Sequence, residues 1–256
     1  MGCMEARDLL CAIRDSTREI VGSQKAVAVA YSGGLDSSIV ARIAAEFSDV
    51  MCYTAAFPGS HDATSVERLA KEESVKVELL TLDHGMLGPL MAEASAALKT
   101  RDPVRISYTV PILRVVGGCE ESLILVGSGA DELFGGYAKY GSMVDPASAM
   151  RSDFDRALAD LTGLETAAVS RGKHIGAPLA SNQVREASDE IPIPDKIGGT
   201  ERKIALRAVA RELGLPSHSR PKKAAQYSSG VLREMKRLAK SSHLSLSDWT
   251  MKMLEH

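Results

Sequence analysis

"AVAVAYSGGLDSSIVARIAAEF", residues 26–47, decides how this chain is read. Residues 26–31 are short, apolar and followed by a turn signal, the pattern of a strand buried in a parallel sheet. The run stops at Ser32, Gly33 and Gly34, then resumes with helical spacing at Ile39, Val40, Ile43, Ala44 and Phe47. A strand that ends in Gly-Gly before a helix is a place for an anion. Glycines let a ligand approach the backbone, and a helix N-terminus favours negative charge. Ser32, Ser37 and Ser38 add hydroxyl donors. No lysine follows the glycines, so this is not a Walker A loop, and it lacks the G-x-G-x-x-G of dinucleotide sites. Asp36 beside an anion is unfavourable alone, but fits a Mg²⁺ shared between a carboxylate and phosphate oxygens. The plainer alternative is a turn with Asp36 as helix cap.

Outward from this corner the chain alternates. "VMCYTAAF" reads as a second buried strand, "DATSVERLAKEES" as an amphipathic helix and "KVELLTL" as a third strand. "MLGPLMAEASAALK" reads as a helix, "TVPILRVV" fits either a strand or a short helix, and "ESLILVGSG" is a strand entering a glycine-rich loop. The expected fold class is α/β: a parallel twisted sheet with helices on both faces, Rossmann-like. After about residue 145 strand signals disappear. "GGTERKIALRAVARELG" reads as a helix from a Thr cap to Gly214, followed by "SSGVLREMKRLAK" and "LSDWTMKML". The expected organisation is a single domain, with an α/β core over about 22–145 and a helical portion over about 146–253.

The 256 residues are 45% apolar and 4% aromatic, so the core rests on Ala, Val, Ile and Leu. The net charge of −2 selects no partner class. No run approaches a membrane span of about 18 apolar residues. Cys3, Cys11, Cys52 and Cys119 show no C-x-x-C spacing, which implies reduced thiols and a cytoplasmic protein. The histidines show no ligand spacing, so no structural metal is expected. Leu254 to His256, Leu-Glu-His, resemble the start of a purification tag and are set aside.

A second glycine-rich corner, "LILVGSGADELFGGY" at 123–137, places Asp131 and Glu132 after a strand. Two acids facing another phosphate loop would complete a metal site, and the plainer alternative is a polar turn with a capped helix. "SGGLDSS" resembles the pyrophosphate loop of the N-type ATP pyrophosphatases. The second corner resembles the "GEGADELFGGY" signature of the asparagine synthetase synthetase domain. "YTAAFPGSHD", "SYTVPILRVV", "ETAAVSRGKHIGAPLAS" and "ERKIALRAVARELGLPSHSRPKKAAQYSSGV" resemble further segments of that family, in order, over roughly 25–235.

The resemblance implies an adenine nucleotide alpha hydrolase-like fold and a ligase with ATP and Mg²⁺ as cofactors. It implies adenylation of a small-molecule carboxylate, with AMP and pyrophosphate released, then amide formation with ammonia or a separate ammonia donor. By motif match, Asp36 and Asp131 hold Mg²⁺, and Ser32, Gly33, Gly34, Ser37 and Ser38 hold pyrophosphate. Ala55, Gly127 and Ser128 lie where the family contacts the nucleoside. Lys222 or Lys223 reaches the α phosphate, and the extra residues before "QYSSG" leave the choice open.

The chain departs from the family in three places. No glutaminase region precedes the synthetase motifs, which implies free ammonia or a separate donor. Ser128 replaces the acid of GEG, and Ser181, in "PLAS", replaces another acid of the family near the same place. A serine does not act as a base near neutral pH without a partner, so amide formation or the choice of aspartate is affected before adenylation is. Residues 196–240 hold 12 Lys or Arg against 3 Asp or Glu. Residues lining an anionic pocket or a solvated face account for that run, and so does binding of tRNA. The absence of interleaved aromatics before Tyr227 favours a small substrate over nucleic acid. Three readings stay open: an amidating ligase, a pyrophosphatase acting on tRNA or another large acceptor, and a nucleotide-binding module that has lost amidation. His174 is read either as near the substrate or as a surface histidine. The oligomeric state is left open.

Overall fold

A computed structural model describes residues 3–220 and 228–255. Five parallel strands form the central sheet: β1 (Ala26–Ala30), β2 (Asp49–Ala56), β3 (Val77–Thr81), β4 (Leu123–Leu125) and β5 (His174–Gly176). Their order is β3-β2-β1-β4-β5. β1 is central, with Ala26 opposite Asp49 on one side and Ala28 opposite Ile124 on the other. The chain winds outward from β1 to β3, then crosses back to place β4 on the other side of β1. That reversal makes the β1–β4 boundary the switch point of the sheet, where open α/β sheets form a crevice at the carboxyl ends of their strands.

Alternate residues feed opposite faces of the sheet, as the period of 2 demands. Val27, Val29 and Leu125 join one apolar cluster, while Ala28 and Ile124 join another. The first face carries α1 (Cys3–Val21), α2 (Leu35–Ala44), α3 (His61–Glu73), α8 (Asn182–Asp189) and α10 (Ile204–Glu212), which supply most of the first cluster. The second face carries α4 (His84–Leu98), α5 (Pro103–Val116), α7 (Pro146–Val169), α11 (Val231–Ser241) and α12 (Leu246–Leu254). Two one-turn helices, α6 (Ala130–Leu133) and α9 (Ile193–Lys196), also occur among the described residues. Ile39, Val40 and Ile43 of α2 are fully buried, so truncating one to Ala costs about 2–4 kcal/mol.

One open reading is decided and others are corrected. "TVPILRVV", which fits either a strand or a short helix in the sequence, is helix, part of α5. Its start decides the matter: Asp102 accepts a hydrogen bond from the Val104 amide at 2.9 Å, and Pro103 occupies the first helical position. That cap-and-proline signal outweighs the β-branched content further along. Strands also do not end near residue 145. β5 pairs Ile175 with Ile124 and forms an edge of the central sheet. Its three residues, between Gly172 and Pro178, are too short for alternation to show. A hairpin, β6 (Ile197–Gly198) with β7 (Glu201–Arg202), occupies the expected start of α10. That helix begins at Ile204, without a Thr cap. No described helix is long and apolar enough to cross a membrane. Cys11, Cys52 and Cys119 are free, and burial pushes the Cys52 thiol up to about 12.

Candidate active site

The loop after β1 is braced from within. Ser37 Oγ accepts the Ser32 amide at 3.2 Å and donates to the Gly34 carbonyl at 3.3 Å. Ser32 Oγ accepts the Gly34 amide at 3.3 Å. Gly34, the cap residue of α2, makes no side-chain cap, so the first turn of the helix offers its amides to solvent. Gly33 has φ +69° and lies over α3; a Cβ there would stand 2.5 Å from Leu69 Cδ1. Glycine is required at this point both for the left-handed backbone and for the close approach.

The loop after β4 closes on the same place. A Cβ on Gly127 would stand 2.9 Å from Asp36 Cβ, so the two corners are in contact. Beyond it, α6 presents Asp131 in its first turn. Asp36 and Asp131, 95 residues apart by subtraction, meet because β1 and β4 are neighbours.

A third residue joins them that the sequence reading did not single out. Lys203 Nζ lies 2.6 Å from Asp36 Oδ2 and 2.7 Å from Asp131 Oδ1, with its side chain 4% exposed. Burial disfavours the ammonium, but Asp131 and Asp36 outweigh that and hold its pKa above the ordinary value. Lys203 adopts a left-handed backbone, φ +57° and ψ +38°, a strained conformation of the kind found where function fixes it. The strain turns the side chain inward between the β6–β7 hairpin and α10. Gly136 seals the pair: a Cβ there would lie 1.7 Å from Asp131 Oδ1 and 2.5 Å from Lys203 Cε. Arg202 donates to the Gly136 carbonyl at 3.1 Å. The only signal for Lys203 in the sequence was its place in a run of cations, which names no single residue.

An open cleft of about 450 Å³ lies over this cluster. Ser32, Gly33, Gly34, Asp36 and Asp131 line it, together with Arg68, Arg202, Lys203, Arg207 and Arg220. Four cations of the basic run, Arg202, Lys203, Arg207 and Arg220, therefore face this cleft, and several are tied to backbone. Arg207 donates to the carbonyls of Arg202, His218 and Arg220. Ser37 acts behind the surface of the cleft, and Ser38 is buried behind the loop at 1% exposure. Ala55, Gly127 and Ser128 stand at or just beyond the carboxyl ends of β2 and β4, outside the lining of this cleft. Lys222 and Lys223 lie outside the described residues. His174 begins β5 at the opposite end of the sheet, where it pairs with Glu165 at 2.8 Å.

Two carboxylates and one ammonium sum to a net −1, and Asp36 Oδ1 is buried without a hydrogen-bond partner among the described residues. A free carboxylate oxygen beside excess negative charge fits a cation that completes its shell with phosphate oxygens. Among the described residues no group of three or more His, Cys, Asp or Glu side chains forms a self-sufficient metal site. Ser181, at the other departure from the family, caps α8 by accepting the Val184 amide at 3.2 Å. A Cβ on Gly129 would stand 2.7 Å from Ala180, so the β4 loop abuts this cap.

A curated protein of Methanocaldococcus jannaschii, assigned by name to the glutamine-hydrolysing asparagine synthetases, is 27% identical over 281 aligned positions. The alignment covers 92% of this chain and 52% of the relative, so the chain spans about half the relative's length. Among solved structures, NMN synthetase from Francisella tularensis aligns at TM-score 0.43 and 11% identity, over 98% of this chain and 90% of that one. A U34-tRNA thiolase from Methanococcus maripaludis aligns at 0.40 and 13%, over 97% and 79%. The family model for asparagine synthase matches residues 8–177, which includes both glycine-rich corners and all five strands of the sheet, and the chain belongs to that family.

Proposed function

We propose that this chain is an ATP-dependent, AMP-forming carbon–nitrogen ligase that adenylates a small carboxylic acid and passes the acyl group to ammonia. The observation that carries the reading is the convergence of Asp36, Asp131 and Lys203 at the β1–β4 switch point, beside the N-terminus of α2, which no side chain caps. In the first step a carboxylate oxygen of the substrate attacks the α phosphorus. The bond from that phosphorus to the bridging oxygen breaks, and pyrophosphate leaves with the electron pair. Ser32, Gly33 and Gly34 cradle the leaving group, with the first amides of α2 directed at its charge. Ser37 holds the loop in shape and Ser38 supports it from behind. Asp36 and Asp131 hold Mg²⁺, which neutralises charge on the phosphate oxygens when bound. Lys203 keeps the two acids together and reduces their repulsion toward phosphate. Ala55, Gly127 and Ser128 face the nucleoside side, and Lys222 or Lys223 reaches the α phosphate. In the second step ammonia attacks the acyl carbon and AMP leaves.

Action on tRNA is the weaker reading, because part of the basic run turns inward, while Arg211, Arg233, Lys236, Arg237 and Lys240 are exposed. Lys196 and Lys203 are buried, while Arg202, Arg207 and Arg220 line the cleft. The deciding experiment is pyrophosphate exchange into ATP, screened across carboxylic acids with Mg²⁺, with Asp36→Ala as control. Acid-dependent exchange that the control lacks supports the ligase. No exchange with any acid, and no AMP when ammonia is added, ends this reading.

A further inference from the structure

The peptide between Gly33 and Gly34 is held at both ends. Arg220 Nη1 donates to the Gly33 carbonyl at 2.9 Å, and the Gly34 amide donates to Ser32 Oγ at 3.3 Å. A Gly–Gly peptide has little steric resistance to flipping, since neither residue carries a Cβ. The flip matters chemically, because it would turn a carbonyl oxygen toward the space an anion needs. The contact with Arg220 holds that carbonyl in its observed orientation.

Arg220 is itself anchored. Its Nη1 also lies 2.9 Å from Glu73 Oε1, and its Nη2 lies 2.7 Å from Glu72 Oε2. Both acids end α3, the helix on which Gly33 rests. The Glu73 side chain is fully buried, and its Oε1 also accepts the Ser217 amide at 2.9 Å. Glu73 Oε2 has no hydrogen-bond partner among the described residues. Arg220 thus compensates a buried carboxylate on one side and grips the loop on the other.

We infer that Arg220, anchored by Glu73, is a positioning residue that locks the Gly33–Gly34 peptide in the anion-accepting orientation. The inference rests on the pyrophosphate reading of the loop. It differs from a purely electrostatic role, in which Arg220 attracts the anion by charge alone, and the two make opposite predictions for Glu73→Gln. Removing a counter-charge strengthens anion binding if Arg220 acts by charge. It weakens binding if Glu73 is the anchor of a strut.

The test is calorimetric titration of the full chain with inorganic pyrophosphate in the presence of Mg²⁺. The expected result is binding by the unaltered chain, weakened about tenfold in Glu73→Gln, less in Arg220→Lys and most in Arg220→Met. Unchanged or tighter binding in Glu73→Gln overturns the inference while leaving the function intact. No binding by the unaltered chain overturns the pyrophosphate reading, and this inference with it. Should Arg220→Met or Glu73→Gln fail to fold, hydrogen exchange at the Gly34 amide of Arg220→Lys decides. Faster exchange than in the unaltered chain supports the lock, and equal exchange overturns it.

Discussion

Lys203 Nζ lies 2.6 Å from Asp36 Oδ2, although 167 residues separate them in sequence. The ammonium also reaches Asp131, so one buried cation joins the corners after β1 and β4. Removing it leaves two carboxylates facing each other in a space closed by Gly136. Lys203→Met is therefore expected to lose about 3–5 kcal/mol of stability, read by urea unfolding. Added Mg²⁺ should recover more stability in Lys203→Met than it adds to the parent. Equal stability of variant and parent would show that the pair contributes nothing.

Gly136→Ala tests the same cluster from above. Its methyl group would meet Asp131 Oδ1 at 1.7 Å and Lys203 Cε at 2.5 Å, so both must move. A displacement of about 1 Å at a site of this kind costs on the order of a hundredfold in rate. Pyrophosphate exchange should fall by that order in Gly136→Ala. Gly141→Ala, whose Cβ meets nothing within 4 Å, should keep the parent rate.

Lys196 gives the alkaline limb of stability. Burial pulls its pKa down to about 8, against a modest opposing pull from Asp189. The unfolded chain titrates near the ordinary value of about 10.4. Below pH 8 the lysine is charged in both states, and the folded state carries the full burial penalty. Between about pH 8 and 10.4 the unfolded chain binds more protons, so stability rises with pH. Lys196→Met should be more stable than the parent at pH 7, by about 1–3 kcal/mol, with the gain shrinking across that window. A constant difference from pH 7 to 10.5 would mean that the ammonium stays hydrated.

Glu132 gives the acid limb. Its carboxylate is buried, accepts the Tyr137 hydroxyl at 2.5 Å and lies beside Asp131. Burial and then the Asp131 charge push its pKa above the ordinary carboxylate value, against the Tyr137 hydrogen bond. The folded state therefore binds more protons just above the unfolded pKa of about 4.3, and stability falls as pH rises through that range. Glu132→Gln keeps the Tyr137 hydrogen bond and removes the titration. It should match or exceed the parent at pH 7 and lack that decline. Urea unfolding from pH 4 to 8 reads both curves, and identical slopes would refute the assignment.

The parts legible in the sequence are those written in a few adjacent residues. The strand, Ser32–Gly34 turn and helix of residues 26–47 are local, and apolar spacing marks them. The second corner at Gly127–Gly129 and the choice of Asp36 and Asp131 came from equally local patterns. The elements left open or misread had competing local signals or none. α5 is rich in β-branched residues but is started by Asp102 and Pro103, while β5 is three residues long. Ser181 stood out as a lost acid, and its hydroxyl turned out to cap α8.

The sequence by itself determined two glycine-rich corners, each on a strand, and the acids they carry. Only the tertiary structure decided that the corners meet, because the order β3-β2-β1-β4-β5 places β1 against β4. It alone decided that Lys203 stands between the acids and that Arg220 grips Gly33. Hydrogen bonding and apolar periodicity act over a few residues and leave a trace in sequence. A buried ion pair between residues 36 and 203 leaves none, since its energy depends on a cavity that exists only once the sheet has closed.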